Sequence, residues 1–115
     1  MARHILLLDL KDDAELIAAY RRWHEPGGPP PAVTASIRSA GIEAMEIHQS
    51  GDRLVMVMET GPAFSFEAKA AADAADPEVL AWEALMDRFQ KPLPWAGPGE
   101  KWVVAERIFA LDEQP

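Results

Sequence analysis

The chain has 115 residues and no cysteine, and its 11 basic and 19 acidic side chains give a formal net charge of −8. This length predicts a single domain over residues 1–115, and the acidic balance disfavours binding to nucleic acid or to an anionic membrane. No apolar stretch resembles a bilayer span or a secretory signal, so we expect a cytoplasmic protein with no membrane partner.

Hydrophobic patterning in the first half of the chain predicts three strands and two helices. The first helix ends near His24, because Pro26 disfavours helical geometry at the residue before it. Prolines 29–31 suit the first turn of a second helix. The predicted strands are Ile5–Leu10, Ile42–Gln49 and Arg53–Thr60, of which the last two form a hairpin.

The second half predicts two helices and one more strand. Ser65–Ala75 is rich in alanine, and Asp76 followed by Pro77 is typical of a new helix start. We expect that last helix to continue to Gln90 and the final strand to cover Lys101–Leu111. The order predicts an α+β, ferredoxin-like β-α-β-β-α-β sandwich whose four-stranded antiparallel sheet carries helices on one face. Apolar residues on both faces of two strands favour a homodimer.

Tyr20 and His24 are the first candidate functional residues. They are four residues apart and therefore share one face of the last helical turn, beside a loop rich in proline and glycine. Histidine can act as both acid and base near neutral pH, which makes His24 a candidate for proton transfer. A surface histidine at a helix end, beside an ordinary core tyrosine, is the alternative interpretation.

Trp82 and Glu83 are the second candidates, near the apolar face of the last predicted helix. An indole provides a flat surface for the C–H side of a sugar ring, and a carboxylate accepts hydrogen bonds from hydroxyl groups. Core packing for Trp82 and a solvated helix charge for Glu83 are equally compatible with the sequence.

Several common site motifs are absent from the sequence. His4, His24 and His48 show no metal-ligand spacing, so we expect no metal site. The glycine-rich patterns of dinucleotide and phosphate loops do not occur, and no serine has the context of a hydrolase nucleophile.

Four segments give the chain a resemblance to the L-rhamnose mutarotases, a small family of dimeric α+β barrels that includes L-fucose mutarotases. Two lie in the first half: Tyr20–Pro26, with its Tyr-x-x-x-His followed by proline, and Gly41–Gln49. The other two are Leu54–Glu59, and Trp82–Met86 together with Gly99–Trp102 and Glu106–Phe109.

The resemblance implies an enzyme that interconverts the α and β anomers of a 6-deoxy-hexose without metal or cofactor. His24 would be the proton donor and Tyr20 a sugar-binding residue. Met45 stands where rhamnose enzymes tend to carry tyrosine, and Trp82-Glu83 stands where they carry two tryptophans. The Trp-Glu pair looks more like the L-fucose branch, which favours L-fucose as the sugar. By the same resemblance, Met45, Trp82 and Glu83 are expected to bind the monosaccharide.

The loop after His24 departs from the family pattern. The family loop usually reads His-x-x-x-Trp-Pro-Glu, whereas here Glu-Pro-Gly-Gly-Pro-Pro-Pro follows His24. The loop of this chain therefore lacks that tryptophan and that glutamate, and it is two residues longer. Two other functions therefore stay open: a cofactor-free monooxygenase of the same architecture, and a sugar-binding dimer without catalytic activity.

Overall fold

The computed structural model describes residues 2–115 and places the strands in one antiparallel sheet. In this sheet β3 lies between β2 and β1, while β4 and β5 pair with different parts of β1. The five strands are β1 Ala2–Leu10, β2 Ile42–Ser50, β3 Arg53–Thr60, β4 Gln90–Lys91 and β5 Val103–Ala105.

Four helices lie on one face of the sheet, and three begin at a capping side chain. Asp13, Ser65 and Asp76 each accept a hydrogen bond from a backbone N–H of the first turn. Such caps satisfy donors that the helix itself cannot pair. The helices are α1 Ala14–Trp23, α2 Pro31–Ser39, α3 Phe66–Ala74 and α4 Pro77–Met86.

Alternation along the strands determines which side chains enter the core. Successive residues of a strand point to opposite faces, so β1 and β3 each send every second residue toward the helices. Leu8 is 0% exposed and Leu54 is 1% exposed on this helix-facing side. Tyr20, Val33 and Trp82 from the helices pack against this layer. The structure thus confirms the predicted α+β, ferredoxin-like architecture.

The end of the chain differs from the expectation. The last helix ends at Met86 rather than at Gln90, and Gln90 instead pairs with Leu10 as part of β4. The final strand covers only Val103–Ala105 rather than Lys101–Leu111. Two short strands therefore occupy the edge of β1 that one long strand was expected to fill, and the sheet has five strands instead of four.

The face of the sheet away from the helices carries a stripe of half-buried apolar side chains. The pairings Ile5 with Val57 and Leu7 with Val55 place these four residues together on that open face. Beyond β5, Ile108 and Phe109 are 94% and 63% exposed. Within residues 2–115, no helix has the length and apolar character needed to cross a membrane.

Candidate active site

A cavity of about 480 Å³ lies between the helices and the helix-facing side of the sheet. Its volume is within the range of roughly 300–1,000 Å³ that is usual for small-molecule sites. All five residues that the sequence singled out contribute to its lining, although they come from two helices, a helix end and a strand. They are Tyr20, His24, Met45, Trp82 and Glu83.

His24 lies immediately after α1 and is held by the backbone of that helix. Its ring Nδ1 donates a hydrogen bond of 2.6 Å to the carbonyl oxygen of Tyr20. This bond fixes the ring and leaves Nε2 as the nitrogen that can accept a proton from a ligand. Burial lowers the pKa of His24 below its usual 6.5, against the opposing effect of the hydrogen bond to the carbonyl. The neutral imidazole therefore predominates at neutral pH.

Tyr20 lies beside His24, as their spacing predicts, with ring centroids 4.2 Å apart. Its side chain is 3% exposed, and the hydroxyl accepts a hydrogen bond of 3.4 Å from Nε2 of Gln90. Burial raises the pKa of Tyr20, and the negative charge of Glu83 raises it further. The hydrogen bond from Gln90 has the opposite effect but is smaller than the effect of burial. The phenol thus stays protonated at neutral pH and can donate its own hydrogen.

Trp82 brings an aromatic surface to the same place from α4. Its ring centroid is 5.6 Å from that of His24 and 6.0 Å from that of Trp23, and both pairs have edge-to-face geometry. Trp82 is 9% exposed and belongs to the core, yet it also lines the cavity. The two interpretations that the sequence left open for Trp82 are therefore compatible.

Glu83 follows Trp82 and faces the cavity with a side chain that is 46% exposed. Its Oε2 lies 2.6 Å from Nζ of Lys101, which also contacts Asp87 Oδ1 at 2.7 Å. Burial alone would lower the pKa of Lys101, but its hydrogen bonds to Asp87 and Glu83 raise it above 10.5. Lys101 is accordingly a permanent cation at neutral pH, and Glu83 is a paired carboxylate rather than an isolated surface charge.

Met45 lies on β2 opposite Met58 of β3 and contributes to an apolar wall. Leu6, Met56 and Met58 extend this wall across the sheet. The cavity therefore combines hydrogen-bonding groups, such as those of Tyr20, His24 and Glu83, with an apolar wall from the sheet. This combination suits a ligand that carries both hydroxyl groups and hydrocarbon.

Trp102 and Gln90 are among the lining residues that were not identified from the sequence as parts of a site. Trp102 contacts both clusters of the core and the cavity, although its position in the chain predicted an ordinary strand residue. Gln90 is 8% exposed, and its Oε1 has no hydrogen-bond partner among residues 2–115. A polar glutamine at the end of an apolar helical pattern was the one available signal for Gln90.

The loop that follows His24 depends on its glycines. Gly27 has a φ of +84°, and a Cβ atom at Gly28 would collide with the carbonyl group of Trp23. Pro29, just beyond them, lines the cavity. The loop therefore turns sharply back over the end of α1. Through Pro29, this loop, which departs from the family pattern, forms part of the cavity wall.

Metal-binding potential is low in the part of the chain that the structure describes. No three His, Cys, Asp or Glu side chains of residues 2–115 are grouped so that they could hold a metal ion.

Comparison with known proteins gives relatives over nearly the whole chain. Residues 3–111 match the family model for L-rhamnose mutarotase. An L-fucose mutarotase of Xanthomonas campestris pv. campestris is 58% identical over 113 residues, which cover 98% of this chain and 90% of that protein. A UPF0734 protein of Dictyostelium discoideum is 30% identical over 91% of this chain and 86% of its own length.

Solved structures share the fold at lower sequence identity. The L-rhamnose mutarotase of Formosa agariphila superimposes with a TM-score of 0.69 at 14% identity, covering 96% of this chain and 99% of the other. Tetracenomycin F2 cyclase of Streptomyces glaucescens, a type-II polyketide cyclase, gives a TM-score of 0.59 at 16% identity, with 96% of each chain covered. The match of the family model and the L-fucose mutarotase relative together show that this chain belongs to the L-rhamnose mutarotase family.

Proposed function

We propose that the protein is a mutarotase that interconverts the α and β anomers of L-fucose, with His24 as the group that moves the proton. The observation that carries this proposal is the position of the His24 ring. Its Nδ1 is bonded to the backbone, its Nε2 is free, and Tyr20, Trp82 and Glu83 surround the same cavity. One nitrogen able to accept and return a proton is the minimum that ring opening requires.

The proposed reaction begins with neutral His24. Nε2 takes the proton of the anomeric hydroxyl and returns it to the ring oxygen as the bond between C1 and that oxygen breaks. The product is an open-chain aldehyde, whose C1–C2 bond then turns by about half a rotation. The same transfers in reverse close the ring on the other face of C1. Each cycle leaves the imidazole neutral, so protons and electrons balance without another reactant.

These proton-transfer steps refine the role that the resemblance assigned to His24. The lowered pKa makes the resting imidazole a base, and it becomes a proton donor only after it has accepted the anomeric proton. Because anomers already interconvert slowly in water, positioning and proton transfer together are sufficient for catalysis.

The other lining residues support a 6-deoxy sugar as substrate. The Tyr20 phenol and the Glu83 carboxylate can donate to and accept from ring hydroxyl groups, and Trp82 offers an aromatic surface for C–H bonds. Met45 belongs to the apolar wall, where the methyl group of a 6-deoxy sugar would be shielded from water. The relative of Xanthomonas campestris named as an L-fucose mutarotase supports L-fucose rather than L-rhamnose.

Saturation-transfer NMR between the anomeric protons tests the proposal. We expect added protein to accelerate exchange of L-fucose, with L-rhamnose slower by about tenfold or more because the two sugars differ in hydroxyl orientation at C2 and C4. If the exchange rate between the anomeric protons is the same with and without protein, the proposed mutarotase activity is rejected. Sugar binding without faster exchange would favour a non-catalytic binding protein, and oxygen uptake with phenolic substrates would favour a monooxygenase.

We also propose that the active form is a homodimer assembled through the open face of the sheet. The apolar stripe of Ile5, Leu7, Val55 and Val57 lies on the face away from the helices, and a second copy of the same stripe would shield it from water. Sedimentation of the wild type should show a dimer, and Val55→Glu should show a monomer. Leu80→Glu, at a position on α4 that is 50% exposed, is the matched control and should remain dimeric. A monomeric wild type at micromolar concentration would refute this assembly.

A cytoplasmic location, a single functional domain and independence from cofactors stay predictions. The family model spans residues 3–111, which supports treating the chain as one unit. The proposed proton transfer uses side chains alone and involves no oxidation or reduction.

A further inference from the structure

Lys101 lies behind Glu83 and outside the cavity. Its Nζ is 2.6 Å from Glu83 Oε2 and 2.7 Å from Asp87 Oδ1, whereas the residues that line the cavity include Glu83 but not Lys101. A ligand in the cavity can therefore meet the carboxylate without meeting the ammonium group. Any influence of Lys101 on that ligand must pass through Glu83.

The two carboxylates that Lys101 contacts are one helical turn apart. Glu83 lies in α4, and Asp87 caps the C-terminal end of the same helix. Negative charges four residues apart on a helix repel one another, and the negative C-terminal end of the helix dipole repels both of them. The ammonium group between them offsets both effects. Its hydrogen bond to Oε2 holds the Glu83 side chain in one orientation and leaves Oε1 outside the ion pair.

We propose that Lys101 is a positioning residue that holds Glu83 in the orientation in which Oε1 accepts a hydrogen bond from a substrate hydroxyl group. This inference rests on the proposed sugar-binding function of the cavity and extends it to a residue that the substrate does not touch. Glu83 is half exposed, so without Lys101 its carboxylate would sample several rotamers. Ordering it before the ligand arrives removes part of the entropy cost of binding.

A structural role is the competing explanation for the same contacts. Lys101 precedes Trp102, which packs against the core and lines the cavity, so the ion pair also connects the preceding loop to α4. Loss of Lys101 could then displace Trp102 without any direct effect on Glu83. The experiment must separate these two routes.

The first measurement compares three variants by steady-state anomer exchange at varied L-fucose concentration. We expect Lys101→Met to raise KM about tenfold, the size of one hydrogen bond to a charged group, while kcat changes less than about threefold. Lys101→Arg keeps a cation within reach of Glu83 and should stay within about threefold of the wild-type KM. Asp87→Asn removes only the other carboxylate and should leave KM unchanged. An unchanged KM in Lys101→Met overturns the proposal.

A double-mutant cycle with Glu83→Gln identifies the route. If Lys101 acts through Glu83, Lys101→Met raises KM in the wild-type background but has little further effect when residue 83 is glutamine. An equal increase in both backgrounds would mean that Lys101 acts through the loop and Trp102, which overturns the proposal. The wild-type protein distinguishes a failure of the proposed function from a failure of the proposed role of Lys101. If the wild type does not accelerate anomer exchange, the proposed function itself fails. If the wild type accelerates exchange and Lys101→Met has an unchanged KM, only the role of Lys101 is rejected.

Discussion

Two histidines lie among aromatic rings on the helix-facing side of the sheet, and their surroundings give them different chemical capacities. His4 in β1 lies 5.8 Å from the ring centroid of Phe64 and 5.1 Å from that of Phe66. His24 after α1 lies 4.2 Å from Tyr20 and 5.6 Å from Trp82. By ring packing alone, the two positions look equivalent.

The hydrogen bonds distinguish them. Nε2 of His4 contacts the hydroxyl of the buried Thr60 at 3.2 Å, so that nitrogen is already engaged within the fold. His24 instead uses Nδ1 to bond the backbone, which leaves Nε2 available at a cavity that also holds a phenol and a carboxylate. An aromatic environment therefore does not make an active site by itself. What matters is which polar groups share a cavity with the imidazole.

The largest expected effect comes from removing each histidine in turn. His24→Asn should lower the protein-dependent exchange rate by roughly 100-fold or more, the usual contribution of a general acid–base group. His4→Asn, the matched control, should keep the rate within about twofold and affect only the thermal stability. Saturation-transfer NMR and a thermal melt of both variants provide the measurements. Equal loss of activity in the two variants would contradict the distinction between these positions.

The next effect is a pH dependence that belongs to His24 alone. Protonation removes the Nε2 acceptor, and burial lowers the pKa of His24, so kcat/KM should decline as the pH falls through a midpoint below 6.5. The raised pKa of Tyr20 keeps the phenol protonated throughout this range. A profile corrected for spontaneous exchange should have its acid midpoint below 6.5 in the wild type and in His4→Asn. A midpoint above 6.5 would reject a buried neutral imidazole as the base.

The same lowered pKa has a consequence for folding. The folded state disfavours the protonated His24 more than the unfolded state does. This group therefore contributes stability that is present above pH 6.5 and is lost as the pH falls through the lower, folded-state pKa. In urea melts, the free energy of unfolding of the wild type should fall relative to that of His24→Asn as the pH decreases, because the asparagine variant lacks this dependence.

A smaller effect is expected when the surroundings of His24 are made more like those of His4. Tyr20→Phe keeps the ring beside the imidazole but removes the hydroxyl, and it should raise KM for L-fucose about tenfold if the phenol binds the sugar. The change also leaves Gln90 Nε2 without its contact to the phenol, so a thermal melt is needed beside the kinetics. A KM within twofold of wild type would limit Tyr20 to packing.

Local sequence signals were sufficient for much of the fold. Pro26 located the end of α1, Asp76 located the start of α4, and the alternation in Arg53–Thr60 gave the bounds of β3 as observed. These signals succeed because caps, prolines and alternation act over a few neighbouring residues. The end of the chain was predicted wrongly because the apolar pattern of Lys101–Leu111 says nothing of how much of β1 is free to pair.

For the site, the sequence alone determined that an imidazole and a phenol share one helical turn, since a spacing of four residues puts them on the same face in any α-helix. Only the tertiary structure decided that Met45, Trp82 and Glu83 meet them at one cavity. It also decided that Gln90 contacts Tyr20 and that Lys101 contacts Glu83. Those partners are up to 70 residues apart in the chain. Their meeting depends on how the helices and the short edge strands pack on the sheet, which no local pattern encodes.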